Sequence, residues 1–109
     1  RGLGDVYKRQ YQNTEVKLYT DHYATNGNIA ILMIAEDGDI FTIISKNVQP
    51  LADSCFAVDE NNNPGIAKWL IGNNISEDTG GAVHSGYVKY PVHKLLVDLP
   101  SVRRDSDER

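Results

Sequence analysis

The chain has 109 residues, with eleven Lys and Arg against fifteen Asp and Glu for a formal net charge of −4, and a chain of this size builds one hydrophobic core. Hydrophobic residues at 40% and charged residues at 24% are ordinary for a globular protein and exclude wholesale disorder. The longest strongly apolar run, Ile29 to Ala35, is far short of the roughly 20 residues that cross a bilayer as a helix, so no membrane partner is expected.

Residues 1–10 (RGLGDVYKRQ) carry Arg1, Lys8 and Arg9 against Asp5 and have neither an initiator Met nor the apolar region of a signal peptide. They resemble an adaptor-derived stretch found at the ends of translated metagenomic contigs. They are expected to be a non-native extension, leaving one domain over 11–101 and a frayed tail over 102–109. Within 11–101, five lysines stand against eleven acids, a net of −6. That sign disfavours direct nucleic-acid binding, which depends on Lys and Arg neutralising phosphates, and suits a basic protein partner.

A strand is predicted over 16–23. From Ile29 to Val48, two β-branched runs flank Asp37-Gly38, the sign of a hairpin with a two-residue type I′ turn. That register pairs Ala35 with Ile40, Ile34 with Phe41, Met33 with Thr42, Leu32 with Ile43 and Ile31 with Ile44. One face then carries Ile31, Met33, Ala35, Ile40, Thr42 and Ile44, and the other Ala30, Leu32, Ile34, Phe41, Ile43 and Ser45. Both faces are apolar, so the hairpin needs cover on both sides.

A strand over 55–59 follows. Cys55 is the only cysteine, which rules out an internal disulfide and favours a reducing, cytoplasmic setting. Beside Phe56 and Val58 it has the character of a small core residue. Asn63-Pro64 then opens a helix of about two turns, with Ile66, Trp69 and Leu70 on one face and Gly72-Asn73 as its stop. Docked through Trp69, it covers one hairpin face. Residues 73–85 have the composition of a loop, and 86–99 that of a strand interrupted by Pro91, which implies an edge, a bulge or a break. The second hairpin face is left to the 95–97 segment, to a homodimer mate or to a target. The expected fold is α+β: a single small antiparallel sheet of four to five strands with one short helix on one face.

No catalytic, cofactor or metal site is expected. His22, His84 and His93 show no metal-ligand spacing, and His84-Ser85-Gly86 lacks the elbow that exposes a serine nucleophile. Asp37 and Asp39 flank an exposed turn, where desolvation is too small to tune a pKa. Asp59-Glu60 precedes Asn61-Asn62-Asn63-Pro64, where negative charge serves a turn and a helix entry.

Tyr19-Thr20-Asp21-His22-Tyr23, Asn26 to Ile31, the 38–48 strand, Val58 to Pro64, and Ser85-Gly86-Tyr87 with Tyr90-Pro91 together resemble a family of small proteins carried on plasmids, phages and conjugative elements of gut bacteria. In that setting the chain is similar to the small type II anti-CRISPR proteins that inhibit Cas9. The resemblance implies a non-enzymatic inhibitor in the host cytoplasm that binds a protein, Cas9 or its guide complex; the acidic and aromatic residues Asp21, Tyr23, Asp59, Glu60, Tyr87 and Tyr90 are the expected contacts. The alternative is a counter-defence protein that sequesters a small ligand or nucleotide, with the 73–85 loop as a lid.

Overall fold

A computed structural model describes residues 8–35 and 37–102. In chain order these residues form β1 (Lys8–Tyr11), β2 (Thr14–His22), β3 (Ile29–Ala35), β4 (Ile40–Ile43), β5 (Ser45–Lys46), β6 (Cys55–Val58), α1 (Ile66–Gly72), β7 (Ser76–Ser85) and β8 (Val88–Leu95). The α+β class is as expected, but the single sheet is not. The strands make two four-stranded antiparallel sheets, ordered β1-β2-β3-β4 and β5-β6-β8-β7.

The second sheet arises because the strand expected to run unbroken to Val48 changes partner at Ile44. The Ile44 N–H donates to the carbonyl of Ile31 in β3 at 3.0 Å, while its own carbonyl accepts the N–H of Asp59, just after β6, at 3.0 Å. β4 therefore ends the first sheet and β5 begins the second. Val16, Leu18, Ile31 and Met33 of the first sheet pack with Phe56 and Val58 of the second, with Ile66 and Leu70 of α1, and with Ile44 and Ile75. The helix expected to cover this face alone shares the task with a whole sheet.

The β3–β4 turn is also wider than the predicted two-residue loop. Ala35 donates its N–H to the carbonyl of Asp39 at 2.9 Å and accepts the N–H of Gly38 at 2.9 Å. Gly38 alone of the Asp37-Gly38 pair has a positive φ, 94°, a backbone region that glycine enters without steric cost. Leu32 with Ile43 and Met33 with Thr42 pair as predicted, but a bulge between Met33 and Ile34 puts Ile40, not Phe41, opposite Ile34. Phe41 reaches instead to Tyr11, edge to face, with ring centroids 5.8 Å apart. The turn with two consecutive positive φ values lies at Gln12 (52°) and Asn13 (65°), between Tyr11 and its partner Thr14.

Residues 8–10 of the segment expected to be an extension belong to β1, and the Trp69 indole N–H donates to the Gln10 carbonyl at 2.8 Å. Residues 1–7 and 103–109 lie outside the described residues. Beyond β1, the free edge of β2 is met by a parallel bridge from Ser101 to Thr20.

The predicted 73–85 loop is mostly β7, a ten-residue edge strand paired to β8. Only Ser76 and Val83 of it are buried, so it lacks the apolar alternation that marks a half-buried strand. Pro91 lies within β8, between β6 and β7, yet obeys the rule for proline. On one side β6 pairs only with Val92, His93 and Lys94; on the other β7 carries a bulge between Asp78 and Ala82.

The helix begins later than the Asn63-Pro64 signal suggests. Gly65, with φ of 87°, is its N-cap, and the capping work is done from a distance by Glu60. Its carboxylate accepts the N–H of Gly65 at 3.0 Å through one oxygen and that of Ala67 through the other. Asn63 is buried and engaged elsewhere, accepting from the Thr42 hydroxyl at 2.9 Å.

Ile44→Ala is expected to cost about 2–5 kcal/mol, the range for a buried Ile truncation, since the side chain is fully buried where the sheets meet. Glu60→Ala is expected to cost about 1–2 kcal/mol through loss of the helix cap. Urea denaturation of each variant checks both values.

Candidate protein-interaction surface

The outer face of the first sheet starts from β3, where Ala30 and Leu32 are 7% and 9% exposed. The cover fails along β4: Ile40 is 57% exposed and Ile43 is 44% exposed. Ile43 stands opposite Leu32 on this face in the regular register, and the bulge between Met33 and Ile34 turns Ile40 outward beside Ile34.

Two hollows meet on this face. An open groove of about 620 Å³ is lined by Tyr23, Ile40, Thr42, Ile43, Lys46 and Asp59, among others. A smaller one of about 220 Å³ is lined by Asp21, Tyr23, Ala30, Leu32 and Ile43 among others. Tyr23 and Ile43 belong to both, so the surface is continuous across them.

Tyr23 is fixed where it stands. Its N–H donates to the Asn28 carbonyl at 2.9 Å, its carbonyl accepts the N–H of Gly27 at 2.8 Å, and its hydroxyl pairs with Ser45 Oγ at 3.1 Å. Ser45 Oγ in turn accepts the Ile31 N–H at 3.0 Å. The phenol is thereby tied to the chain just after the strand switch at Ile44, and its ring forms one wall of the groove.

The six residues expected as contacts do not form one site. Asp21 and Tyr23 border the smaller hollow, and Tyr23 and Asp59 border the groove. Asp59 is nevertheless 4% exposed, with its carboxylate accepting the backbone N–H of Asn62 at 3.2 Å and its side-chain amide at 2.9 Å. Glu60 is committed to the helix cap. Tyr90, 4% exposed, packs with Ala57, Val83 and Val92 and presents little surface to a partner. Tyr87 is fully exposed in the β7–β8 turn, next to Gly86 with φ of 61°. It is accessible but belongs to the other sheet.

Ile40 and Ile43 are what the residue-type reading passed over. Ile43 lies on the predicted second apolar face with Leu32, whereas Ile40 joins that face only through the bulge between Met33 and Ile34.

A second, polar cleft of about 310 Å³ lies between the 26–29 turn and residues 51–55. Asn28, buried beneath it, donates through Nδ2 to Asn47 Oδ1 at 3.0 Å and to the Gln49 carbonyl at 2.7 Å. Its Oδ1 accepts the Leu51 N–H at 3.0 Å. His22, Asp53 and Cys55 all border this cleft, yet no three His, Cys, Asp or Glu among the described residues are grouped to hold a metal ion. Cys55 is half-buried against the cluster around Ala57 and Tyr90. His22 and His84 are exposed, whereas His93 is fully buried in the second sheet.

Residues 17–108 match the family described as a domain of unknown function, DUF4313. The chain belongs to that family. The match takes in Tyr23, Ile40, Ile43, Asn28 and His93, and leaves β1 outside. No curated protein and no solved structure matches the chain. No helix among the described residues is long and apolar enough to cross a membrane.

Asn28→Ala is expected to cost about 2–3 kcal/mol, since it strands buried partners of the amide. It should also raise amide exchange at Leu51 while leaving β2 and β3 protected, a pattern readable by NMR.

Proposed function

We propose that this DUF4313 chain is a non-enzymatic protein-binding module that engages a basic partner through the outer face of its first sheet. The exposure of Ile40 and Ile43 beside Tyr23 carries the reading. Large apolar side chains grouped in a concave patch are the usual mark of an interaction site, where single exposed ones are not. The chemistry around the patch sets the partner's sign. Asp37 and Asp39 precede Ile40 in the chain, Asp59 and Lys46 line the groove, and residues 8–102, with β1 counted, carry a net charge of −4. A basic surface is drawn in and held in register by such charge.

The narrower reading, an inhibitor from a mobile element acting in the bacterial cytoplasm on Cas9, rests on the sequence resemblance. It fits the physics in one respect, since Cas9 is basic where it holds nucleic acid. The ligand-sequestering alternative has lost its proposed lid, because most of the 73–85 segment is paired strand.

Cleavage of target DNA by purified Cas9 tests the narrower reading. Inhibition that is lost in the double variant Ile40→Asp with Ile43→Asp, but retained in Tyr87→Ala, is the expected result. Cleavage unchanged at a large molar excess of the wild type contradicts Cas9 as the target. Inhibition that survives the double variant contradicts the surface. Each isoleucine is about half exposed and paired across the hairpin, so each substitution alone is expected to cost about 1 kcal/mol of stability, which thermal unfolding checks independently.

A further inference from the structure

His93 has no place in the proposed surface, yet it is the most unusual polar group in the core. It stands opposite Phe56 of β6 and opposite Asp78 of β7. Its ring is tilted against Phe56 with centroids 6.1 Å apart. It therefore shares the face of the second sheet on which Phe56 packs with Ile66 and Leu70 of α1. The side chain is fully buried, Nδ1 pairs with the equally buried Ser76 Oγ at 2.8 Å, and Nε2 has no hydrogen-bond partner. Whichever tautomer the ring adopts, one buried nitrogen is left unsatisfied, and a charge placed there must be borne without water.

We propose that His93 is an acid-operated latch: when it takes up a proton, α1 and the 60–65 turn release from the second sheet. The segment that gives way follows from the bonding. β8 is held by ladders to β6 and β7 on either side. α1 has seven residues, too few to persist alone, and is held by the packing of Ile66, Leu70 and Trp69 and by the Glu60 cap. The charged groups acting on the ring are Asp78 from β7 and Glu60 from the turn. β6 offers it the ring of Phe56, which packs in one cluster with Ile66 and Leu70 of α1, none of which titrates.

The direction of the effect follows from linkage. Burial lowers the pKa of His93 below its ordinary 6.5, and the opposing pull of Asp78 and Glu60 does not cancel it. The closed state thus holds the ring neutral where the opened state has already protonated it. Opening is insensitive to pH well above 6.5. Below that, it grows by up to about tenfold per pH unit, until the pH passes the lowered pKa of the buried ring.

Hydrogen exchange at single-residue resolution, corrected for intrinsic rates, tests this on the whole chain. The amides of Asn73 and Ile75, bonded to the carbonyls of Trp69 and Leu70, report α1, and those of β2 and β3 report the rest. The wild type should lose several-fold to tenfold protection in α1 between pH 6.5 and 5.5, with β2 and β3 unchanged relative to it, while His93→Gln should show no such difference. The proposal is overturned if α1 protection is flat with pH, falls in step with β2 and β3, or falls equally in His93→Gln. Should that variant not fold, the His93 ring signals of the wild type decide. Protonation that accompanies loss of α1 protection supports the latch; protonation with α1 still protected contradicts it.

Discussion

The structure turns on a single residue whose two backbone groups point into different sheets. Ile44 gives its N–H to Ile31 and receives the N–H of Asp59, both at 3.0 Å, and its side chain is fully buried between the layers. This places Phe56 and Val58 over Ile31 and Met33 without a long connection, and brings Asp59 and Glu60 to the point from which α1 starts. Among the described residues it also leaves the outer face of the first sheet with no layer above it. The core and the open surface are consequences of the same change of partner.

The surface is therefore best understood by what the fold does not need. Ala30 and Leu32 are already buried, and Tyr23 is pinned to Ser45 beside the switch. Ile40 and Ile43 contribute little to stability where they stand, since the apolar area they leave in water gives the fold nothing. An acidic body that presents such side chains beside a fixed aromatic wall has the makings of a docking site for a basic protein. The buried His93 lies in the other layer, and the turn between Glu60 and Gly65 connects the two, since Asn62 lines the groove and Asn63 accepts from Thr42 of β4.

Much of the fold was legible because it is local. The β3–β4 hairpin, the strands around Leu18 and Phe56, and a two-turn helix carrying Ile66, Trp69 and Leu70 all follow from spacing and turn chemistry. What was not legible depends on long-range bonding. Nothing in the residue types at Ile44 distinguishes a strand that continues from one that changes sheets. Ser76 to Ser85 looked like a loop because its outer edge and most of its side chains face water, and pairing to β8 supplies what its sequence does not. The bulge at Met33 and Ile34, which decides that Ile40 faces outward and Phe41 meets Tyr11, is likewise set by contacts with distant residues. Among the candidate contacts, Asp59 and Glu60 were correctly placed at a turn and a helix entry, and those structural duties now account for their carboxylates. Tyr90 could not be told from an exposed tyrosine without the cluster around Ala57 and Val92.

The exchange rate of the Asp59 amide tests the two-sheet account most directly, because its partner is the Ile44 carbonyl across the switch. The account predicts that this amide exchanges as slowly as that of Ile44, opening only when the whole molecule unfolds. Exchange as fast as that of the exposed turn at Asp37 would contradict it, for the two sheets would then not be joined at Ile44.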